Sequence, residues 1–291
     1  YTNTYAIPQT MTFREKLDEF DLDTVTISEL ERFFSKEILG HNRPTIKLWF
    51  DRLFRVRNVT SEKLENLLST SSIWYPDWNT INEDYHTFNR CSDKGQNFFY
   101  CLNSLEATIK EINPDDNDLL LIGIFGMKHS DVPAQTQFAG IDSIKKNGNH
   151  KLLKKHIFPT EYDELLEKEI SKIFREIISE SDENRYKLSI AFSNILLKNE
   201  EINCLTYPSV AANLKFENHG LKPEFVDEHM YCEQSYLYRV EKSNTEIILT
   251  AEKYGIINID KENPKVSSIK WVDNNMQRDK VQLKYSIQHR V

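Results

Sequence analysis

An interior β-strand is predicted by the run Leu119-Leu120-Leu121-Ile122-Gly123-Ile124-Phe125, which is apolar throughout and lies between an acidic turn and Gly126. The apolar character continues to Met127, which makes this the longest apolar run in the chain. A membrane-spanning helix needs about 20 such residues. The run therefore favours a soluble protein with a sheet in its interior and no membrane span.

Helices are predicted on both sides of this strand along the chain. Residues 10–50 form a polar helical leader, in which Ser28 and Glu31 have the spacing of a capping box. Asn103 and Glu106 have the same spacing and begin a helix that reaches about residue 112. The clearest apolar stripe follows Thr160 and Asp163 and extends to residue 178. Two more helices are predicted over 61–68 and 183–197.

Further strands are predicted over 53–57, 97–101 and 202–207. The tail holds alternating segments over 236–240, 247–259, 266–272 and 281–287, which we expect to pair as antiparallel strands around a turn at Tyr254-Gly255. Residues 128–158 show no clear period and are expected to form a loop or lid. The prediction is an α+β fold with a helical N-terminal leader and a β-rich C-terminal tail.

The charge balance argues against a nucleic-acid-binding protein. The 291 residues carry 37 basic and 45 acidic side chains, for a net charge of −8. No basic excess is available to bind phosphates along a nucleic acid, although a local basic pocket for a small phosphate ligand is compatible with this balance. The N-terminus has no secretion-signal pattern, and the four cysteines have no metal-type spacing. We therefore expect a cytoplasmic protein with reduced thiols.

Several common enzyme motifs are missing from the sequence. It contains neither of the glycine-rich phosphate loops, G-x-G-x-x-G and G-x-x-x-x-G-K-[ST], and neither an H-E-x-x-H nor a G-x-S-x-G segment. These absences disfavour a Rossmann dehydrogenase, a P-loop NTPase, a zinc protease and a serine hydrolase. What remains is a dispersed set of polar residues on apolar elements.

Arg55 and Arg57 belong to the first such element, a predicted buried strand. Because side chains alternate along a strand, both arginines project from one face. Two explanations fit this pattern equally well. One is a half-solvated strand with two surface arginines. The other is an anion site, because guanidinium groups bind phosphates through paired hydrogen bonds.

Four other residues stand at comparable places. Arg90 lies in a polar turn before an aromatic strand that contains Tyr100. Glu111 lies at the margin of a buried helical stripe, in a last turn where the helix dipole disfavours a carboxylate. Ser209 directly follows the end of a strand. Each of these residues also has an explanation without function. Arg90 fits an ordinary turn before a strand, Glu111 fits a solvated glutamate, and Ser209 fits a simple strand end.

Taken in order, these segments resemble the RES family, which is named for its Arg, Glu and Ser residues. The matching segments are Phe54-Arg55-Val56-Arg57, Asn89-Arg90-Cys91-Ser92-Asp93-Lys94-Gly95, Phe99-Tyr100, Thr108-Ile109-Lys110-Glu111 and Tyr207-Pro208-Ser209. In the turn, Asn89 replaces the family's first glycine and Ser92 replaces its asparagine. The resemblance covers about residues 50–230, and the stretch between Glu111 and Ser209 resembles an insertion.

The resemblance implies a fold like that of ADP-ribosyltransferase toxins, with a split antiparallel sheet, flanking helices and a cleft for NAD. It implies an enzyme that degrades NAD as its substrate by cleaving the nicotinamide–ribose bond, through hydrolysis or phosphorolysis and without a metal. It further implies a role as a toxin or defence effector, with an antitoxin or regulatory protein as the partner that holds it in check. The implied division is a helical extension over 1–50, a RES-like NAD-binding catalytic domain over 51–260 and a β-rich extension over 261–291.

The resemblance also implies roles for the matching residues. Glu111 would stabilise the oxocarbenium-like transition state, with Tyr100 and Arg55 as further catalytic residues. The NAD-binding residues would be Arg55, Arg57 and Arg90 at the diphosphate, Tyr100 at the nicotinamide ribose and Ser209 at the nicotinamide.

Two other functions stay open at this point. The same cleft serves transfer of ADP-ribose to a macromolecule, and a RES-like module without activity would only bind a partner. The sequence also leaves open the acceptor (water, phosphate or a macromolecule), the identity of a neutralising protein and a homo-oligomeric state.

Overall fold

The computed structural model describes residues 11–39, 43, 45–83, 86–140, 160–274 and 280–284. This part of the chain has a mixed α/β fold, in which helices flank one large, mostly antiparallel sheet, consistent with the predicted α+β class. The helices are α1 (Phe13–Asp18), α2 (Ile27–Glu37), α3 (Leu105–Ile112), α4 (Glu161–Arg175), α5 (Tyr186–Leu197) and α6 (Pro223–His229). The strands are β1 (Ile46–Leu48), β2 (Leu53–Asn58), β3 (Phe99–Leu102), β4 (Leu119–Met127), β5 (Ala134–Phe138), β6 (Cys204–Pro208), β7 (Glu217–Leu221), β8 (Met230–Lys242), β9 (Glu246–Asn258), β10 (Ser268–Asp273) and β11 (Lys280–Lys284).

The strand order is β1-β5-β6-β7-β3-β2-β4-β8-β9-β10, and β11 also pairs with β9. The apolar run 119–127 is β4, which lies between β2 and β8, so the predicted interior strand is confirmed. The strands β10 and β11 both pair with β9, so the C-terminal segment completes the same sheet.

The sheet is weakly joined at its centre, between β2 and β3. These two strands share one residue pair, Phe54 with Leu102, whereas β2 and β4 pair over six residues. On one side of this joint lies the β1-β5-β6-β7-β3 half, and on the other lies the half that contains β2, β4 and β8–β11.

The two faces of the sheet carry different layers. On one face, which we call the α3 face, Val56 packs with Ile109 of α3. On the other, the Trp74 face, Leu53 packs with Trp74 and Phe99. Helix α3 lies over β2 and β3, whereas α4 and α5 lie over β6. Strand β7 runs between β6 and β3 and thus separates the two helix groups.

The leader is part of the core. Phe34 of α2 packs edge-on against Phe192 of α5, with their ring centroids 5.6 Å apart. Thr26 is the N-cap of α2: its hydroxyl accepts a hydrogen bond from Glu29 N, while the Glu29 carboxylate accepts one from Thr26 N. The predicted cap at Ser28 was therefore wrong, because this box closes two residues earlier.

The other predicted caps have mixed outcomes. The Thr160–Asp163 box is confirmed at the start of α4, but this helix ends at Arg175 rather than at residue 178. At α3 the cap is Ser104, whose hydroxyl accepts a hydrogen bond from Ala107 N. Glu106 forms an ion pair with Lys110 instead, so the predicted Asn103–Glu106 cap was wrong.

Three predictions for loops and short elements are also corrected. Tyr254-Gly255 lies inside β9, where a Cβ on Gly255 would come within 2.6 Å of Ile269, so this glycine permits close packing rather than a turn. The predicted loop over 128–158 contains β5, and residues 141–159 lie outside the described residues. The helix predicted over 61–68 is one 3-10 turn, Leu64–Leu67.

Candidate functional site

Three polar side chains meet on the α3 face, at the end of α3. The Ser209 hydroxyl donates a 2.5 Å hydrogen bond to Glu111 Oε1, and Asn218 Nδ2 donates a 2.8 Å hydrogen bond to the same oxygen. Glu111 itself is exposed, whereas Ser209 and Asn218 are buried. Glu111 Oε2 accepts no hydrogen bond from any residue that the structure describes. One carboxylate oxygen is therefore held in place, and the other is open to a ligand.

The strand register explains why these residues meet. Asn218 lies in β7, opposite Leu102 of β3 on one side and Tyr207 of β6 on the other. Residues directly opposite each other project from the same face of a sheet. Leu102 packs against α3, so Asn218 also projects towards this helix. Helix α3 ends one residue after Glu111, and a left-handed Asn113 follows it.

The turn that follows Ser209 is strained. Asn213 and Leu214 both have positive φ angles, 53° and 58°. This conformation is uncommon for residues other than glycine, and a bulky side chain adopts it rarely. Backbone hydrogen bonds hold the turn, with Leu214 N donating to the Ser209 carbonyl at 2.8 Å and Ala212 N donating to the Ser209 hydroxyl at 3.1 Å. Ser209 thus organises its turn while it binds Glu111.

Two tyrosines line the α3 face near this cluster. The Tyr100 hydroxyl accepts a hydrogen bond from Cys91 N at 3.2 Å and shares another with Ser92 Oγ at 2.8 Å. Burial raises the pKa of Tyr100 and of Tyr207 well above the usual range, and at Tyr207 the charge of Glu111 adds to this effect. Both phenols therefore stay protonated at neutral pH and act as hydrogen-bonding groups rather than as bases.

Arg90 holds the end of α4. Its Nη2 donates to the Glu176 carbonyl at 2.8 Å, and its Nη1 donates to the Ile173 carbonyl at 3.4 Å. The guanidinium also lies over the Tyr186 ring, at 5.3 Å from its centroid, which is a cation–π contact. Arg90 thus covers carbonyl groups that α4 leaves without partners at its C-terminal end.

Arg55 and Arg57 lie on the Trp74 face. As the alternation predicts, both project from the same side as Leu53. The Arg55 guanidinium lies 5.3 Å from the centre of the Phe99 ring, and its Nη1 donates to the Tyr100 carbonyl at 2.9 Å, which links β2 to β3 next to their single residue pair. Burial lowers the pKa of Arg55 to about 10, so the side chain stays charged at neutral pH.

Arg57 has an internal partner for each end of its guanidinium. It donates to the Ser72 carbonyl and forms a 2.8 Å ion pair with Glu62. Because Glu111 lies on the opposite face, the structure does not bring Arg55 or Arg57 together with it. The two arginines predicted to share the diphosphate have separate contacts: Arg55 with Tyr100 and Phe99, and Arg90 with the end of α4.

The structure thus brings together two of the predicted residues, Glu111 and Ser209, and places Tyr100 on the same face of the sheet. Asn218 was missed by the sequence analysis. It lies in the polar segment Glu217-Asn218-His219-Gly220-Leu221, which has no strand periodicity to mark it. In the described part of the chain, no group of three His, Cys, Asp or Glu side chains gathers in a way that suits a metal ion.

Comparisons with known proteins do not assign the chain to a family. No protein-family model matches the chain, and no similar sequence is found among curated proteins. Among the described helices, none is both long and apolar enough to cross a membrane.

Proposed function

We propose that this chain is an enzyme that cleaves the nicotinamide–ribose bond of NAD, with Glu111 as its catalytic carboxylate. The observation that carries the proposal is the hydrogen bond between Ser209 and Glu111. The resemblance to the RES family selects these two residues from separate motifs, and in the folded chain they are in direct contact. Because the two residues lie 98 positions apart in the sequence, their contact is a result of the fold and supports a shared site.

The geometry of the carboxylate suits this reaction. As the bond to nicotinamide breaks, positive charge develops on the ribose in an oxocarbenium-like transition state. A fixed carboxylate stabilises such a charge most when it needs no reorientation during the reaction. Ser209 and Asn218 both donate to Oε1, which holds this oxygen in place and leaves Oε2 to face the ribose.

The shape of the sheet supports an ADP-ribosyltransferase-like core. Such a core has a split sheet, and here β2 and β3 diverge after a single residue pair. Glu111 lies on the helix that covers this joint, and Ser209 and Asn218 belong to the neighbouring half of the sheet. A dinucleotide on the α3 face would therefore lie between α3 and the group formed by α4 and α5.

Product analysis tests the proposal directly. Purified protein is incubated with NAD, with and without inorganic phosphate, and the products are separated by chromatography. We expect free nicotinamide together with ADP-ribose if water is the acceptor, or with an ADP-ribose phosphate ester if phosphate is the acceptor. ADP-ribose attached to an added macromolecule would identify a transferase. Intact NAD after prolonged incubation under all these conditions would contradict the proposal.

A further inference from the structure

A pocket with a volume of about 640 Å³ lies next to the turn that follows Ser209. Val210, Asn213 and Leu214 of this turn form part of its wall, and the end of α4 forms another part. Four of the ten lining residues are basic and one is acidic, in a chain whose net charge is −8. We call this the basic pocket, and its four cations are Arg14, Lys172, Arg175 and Arg185.

Three of these cations form ion pairs with carboxylates in the described part of the chain. Arg14 pairs with Asp18 at 2.8 Å, Lys172 pairs with Glu169 at 2.5 Å, and Arg185 pairs with Glu176. The basic side chains of these pairs are 43%, 59% and 37% exposed. Ion pairs at such exposure are weak in water, so a multiply charged anion can compete for the cations.

Arg185 also carries a donor without a partner. Its Nε atom is buried and donates to no acceptor among the described residues. Buried polar atoms nearly always have a hydrogen-bond partner, and a missing one points to a group that is absent from the structure.

The end of α4 would by itself oppose an anion here, because the C-terminal end of a helix is partially negative. Ile173 and Glu176 belong to this end and line the pocket. Arg90 donates to both of their carbonyl groups. This contact counters the negative end of the helix at the pocket wall and gives Arg90 an indirect part in anion binding.

We propose that the basic pocket binds the phosphate groups of the dinucleotide substrate, an inference that rests on the proposed function. Arginine binds phosphate through paired, charge-assisted hydrogen bonds, and this pocket offers three arginines. Its volume lies within the usual range for small-ligand sites, roughly 300–1,000 Å³. Val210 lines the pocket and directly follows Ser209, whose hydroxyl donates to Glu111, so the turn that holds the carboxylate also forms part of the pocket wall. The diphosphate is thus assigned to α1, α4 and the start of α5 rather than to Arg55 and Arg57.

Calorimetric titration tests the pocket without any turnover. ADP-ribose and adenosine are titrated into the unmodified protein and into Arg185→Gln, Arg14→Gln and Arg239→Gln. Arg239 is the matched control, because it is also about one-third exposed and pairs with a glutamate, Glu252 of the neighbouring strand β9, and neither residue lines the pocket. We expect Arg185→Gln and Arg14→Gln each to weaken ADP-ribose binding at least fivefold and Arg239→Gln to leave it unchanged. Adenosine, which has no phosphate, should bind far more weakly than ADP-ribose to every protein.

Equal ADP-ribose affinity in the unmodified protein and in both pocket variants overturns the proposal, as does equal affinity for adenosine and ADP-ribose. Nicotinamide release then separates this result from a failure of the proposed function. If nicotinamide is released but ADP-ribose binds equally well to the Arg185 and Arg14 variants, the pocket proposal alone is refuted. Arginine-dependent ADP-ribose binding without release refutes the NAD-cleaving function and keeps the pocket as a nucleotide-phosphate site.

Discussion

The Ser209 hydroxyl lies 2.5 Å from Glu111 Oε1, although the two residues are 98 positions apart in the sequence. This contact joins the end of β6, in the β1-β5-β6-β7-β3 half of the sheet, to the end of α3, the helix that lies over β2 and β3. The carboxylate is therefore held by a residue of one half of the sheet, while its helix also packs on β2 of the other half. Its orientation depends on how the two halves meet, and this dependence makes the cluster a sensitive target for substitution.

Glu111→Gln should abolish most nicotinamide release from NAD. The amide oxygen still accepts hydrogen bonds from Ser209 and Asn218, so the site keeps its shape and loses only its negative charge. Removing one well-placed electrostatic group commonly lowers kcat by about 10²–10³-fold. We expect a loss of this size with little change in KM, measured by steady-state nicotinamide release.

Glu106→Gln is the matched control for this experiment. Glu106 lies on the same helix, is half-exposed and pairs with Lys110 rather than with the cluster. Its turnover should stay within twofold of the unmodified protein (about 0.4 kcal/mol). Normal turnover in Glu111→Gln, or an equal loss in both variants, would show that Glu111 is not the catalytic carboxylate.

Asn218→Ala should lower kcat and leave KM almost unchanged. Asn218 is a positioning residue, since it acts on substrate only through Glu111 Oε1. A hydrogen bond to a charged group contributes about 1.5–3 kcal/mol, which corresponds to a loss of about ten- to a hundredfold if the bond orients the carboxylate in the transition state. Kinetics at saturating NAD measures this effect.

Asn194→Ala provides the comparison, because Asn194 Nδ2 donates to Glu31 Oε1 at the same distance, 2.8 Å. That bond joins α5 to α2 and belongs to no part of the cluster. We expect both variants to lose similar conformational stability in urea and only Asn218→Ala to lose kcat. If kcat falls equally in the two variants, Asn218 contributes to stability alone.

Strand β4 was predictable, whereas β7 was not. A strand that is buried on both faces is apolar throughout, and Leu119–Met127 shows this pattern. Strand β7 is also largely buried, but it carries Asn218 and His219. Asn218 hydrogen-bonds to Glu111, 107 positions away in the sequence, and His219 hydrogen-bonds to Thr206 on the neighbouring strand β6. No local period encodes such partners.

The candidate site was predictable to the same limited extent. Motif order selected Glu111 and Ser209, and alternation placed Arg55 and Arg57 correctly on one face of β2. Alternation within one strand does not indicate which face of the sheet holds the site. That information lies in the packing of Ile109 against Val56, which places Glu111 opposite the two arginines.

Arg55→Ala should destabilise the fold more than Arg57→Ala. The Arg55→Ala variant loses the hydrogen bond to the Tyr100 carbonyl and the contact with the Phe99 ring. This loss should lower the free energy of unfolding by about 2–3 kcal/mol. Arg57 loses a half-exposed ion pair and one carbonyl contact, for a decrease of about 1 kcal/mol. Urea unfolding of the two variants measures the difference. The reverse order would show that Arg55 does not join β2 to β3.

His219 should make the stability of the protein depend on pH. The side chain is 4% exposed, its Nδ1 shares a 3.0 Å hydrogen bond with Thr206 Oγ1, and its ring contacts Phe50. Burial disfavours the charged form and lowers the pKa of His219 from 6.5 to about 4. Between these values the unfolded chain binds a proton that the folded protein does not bind. The contribution of the neutral His219 to the free energy of unfolding is therefore fully present above pH 6.5. It is lost as the pH falls towards 4, which lowers the free energy of unfolding by about 3 kcal/mol in total.

His219→Gln isolates this contribution, because glutamine is also polar but does not titrate in this range. We expect the free energy of unfolding of the unmodified protein to fall more steeply than that of the variant as the pH is lowered from 6.5 to 4, because both proteins share every other titrating group. Urea unfolding at half-unit pH steps gives both curves, and a proton NMR titration of the folded protein should show the His219 ring neutral down to about pH 4. Parallel curves through this range, or a ring that titrates near pH 6.5, would mean that the folded protein admits the charged imidazole within β7.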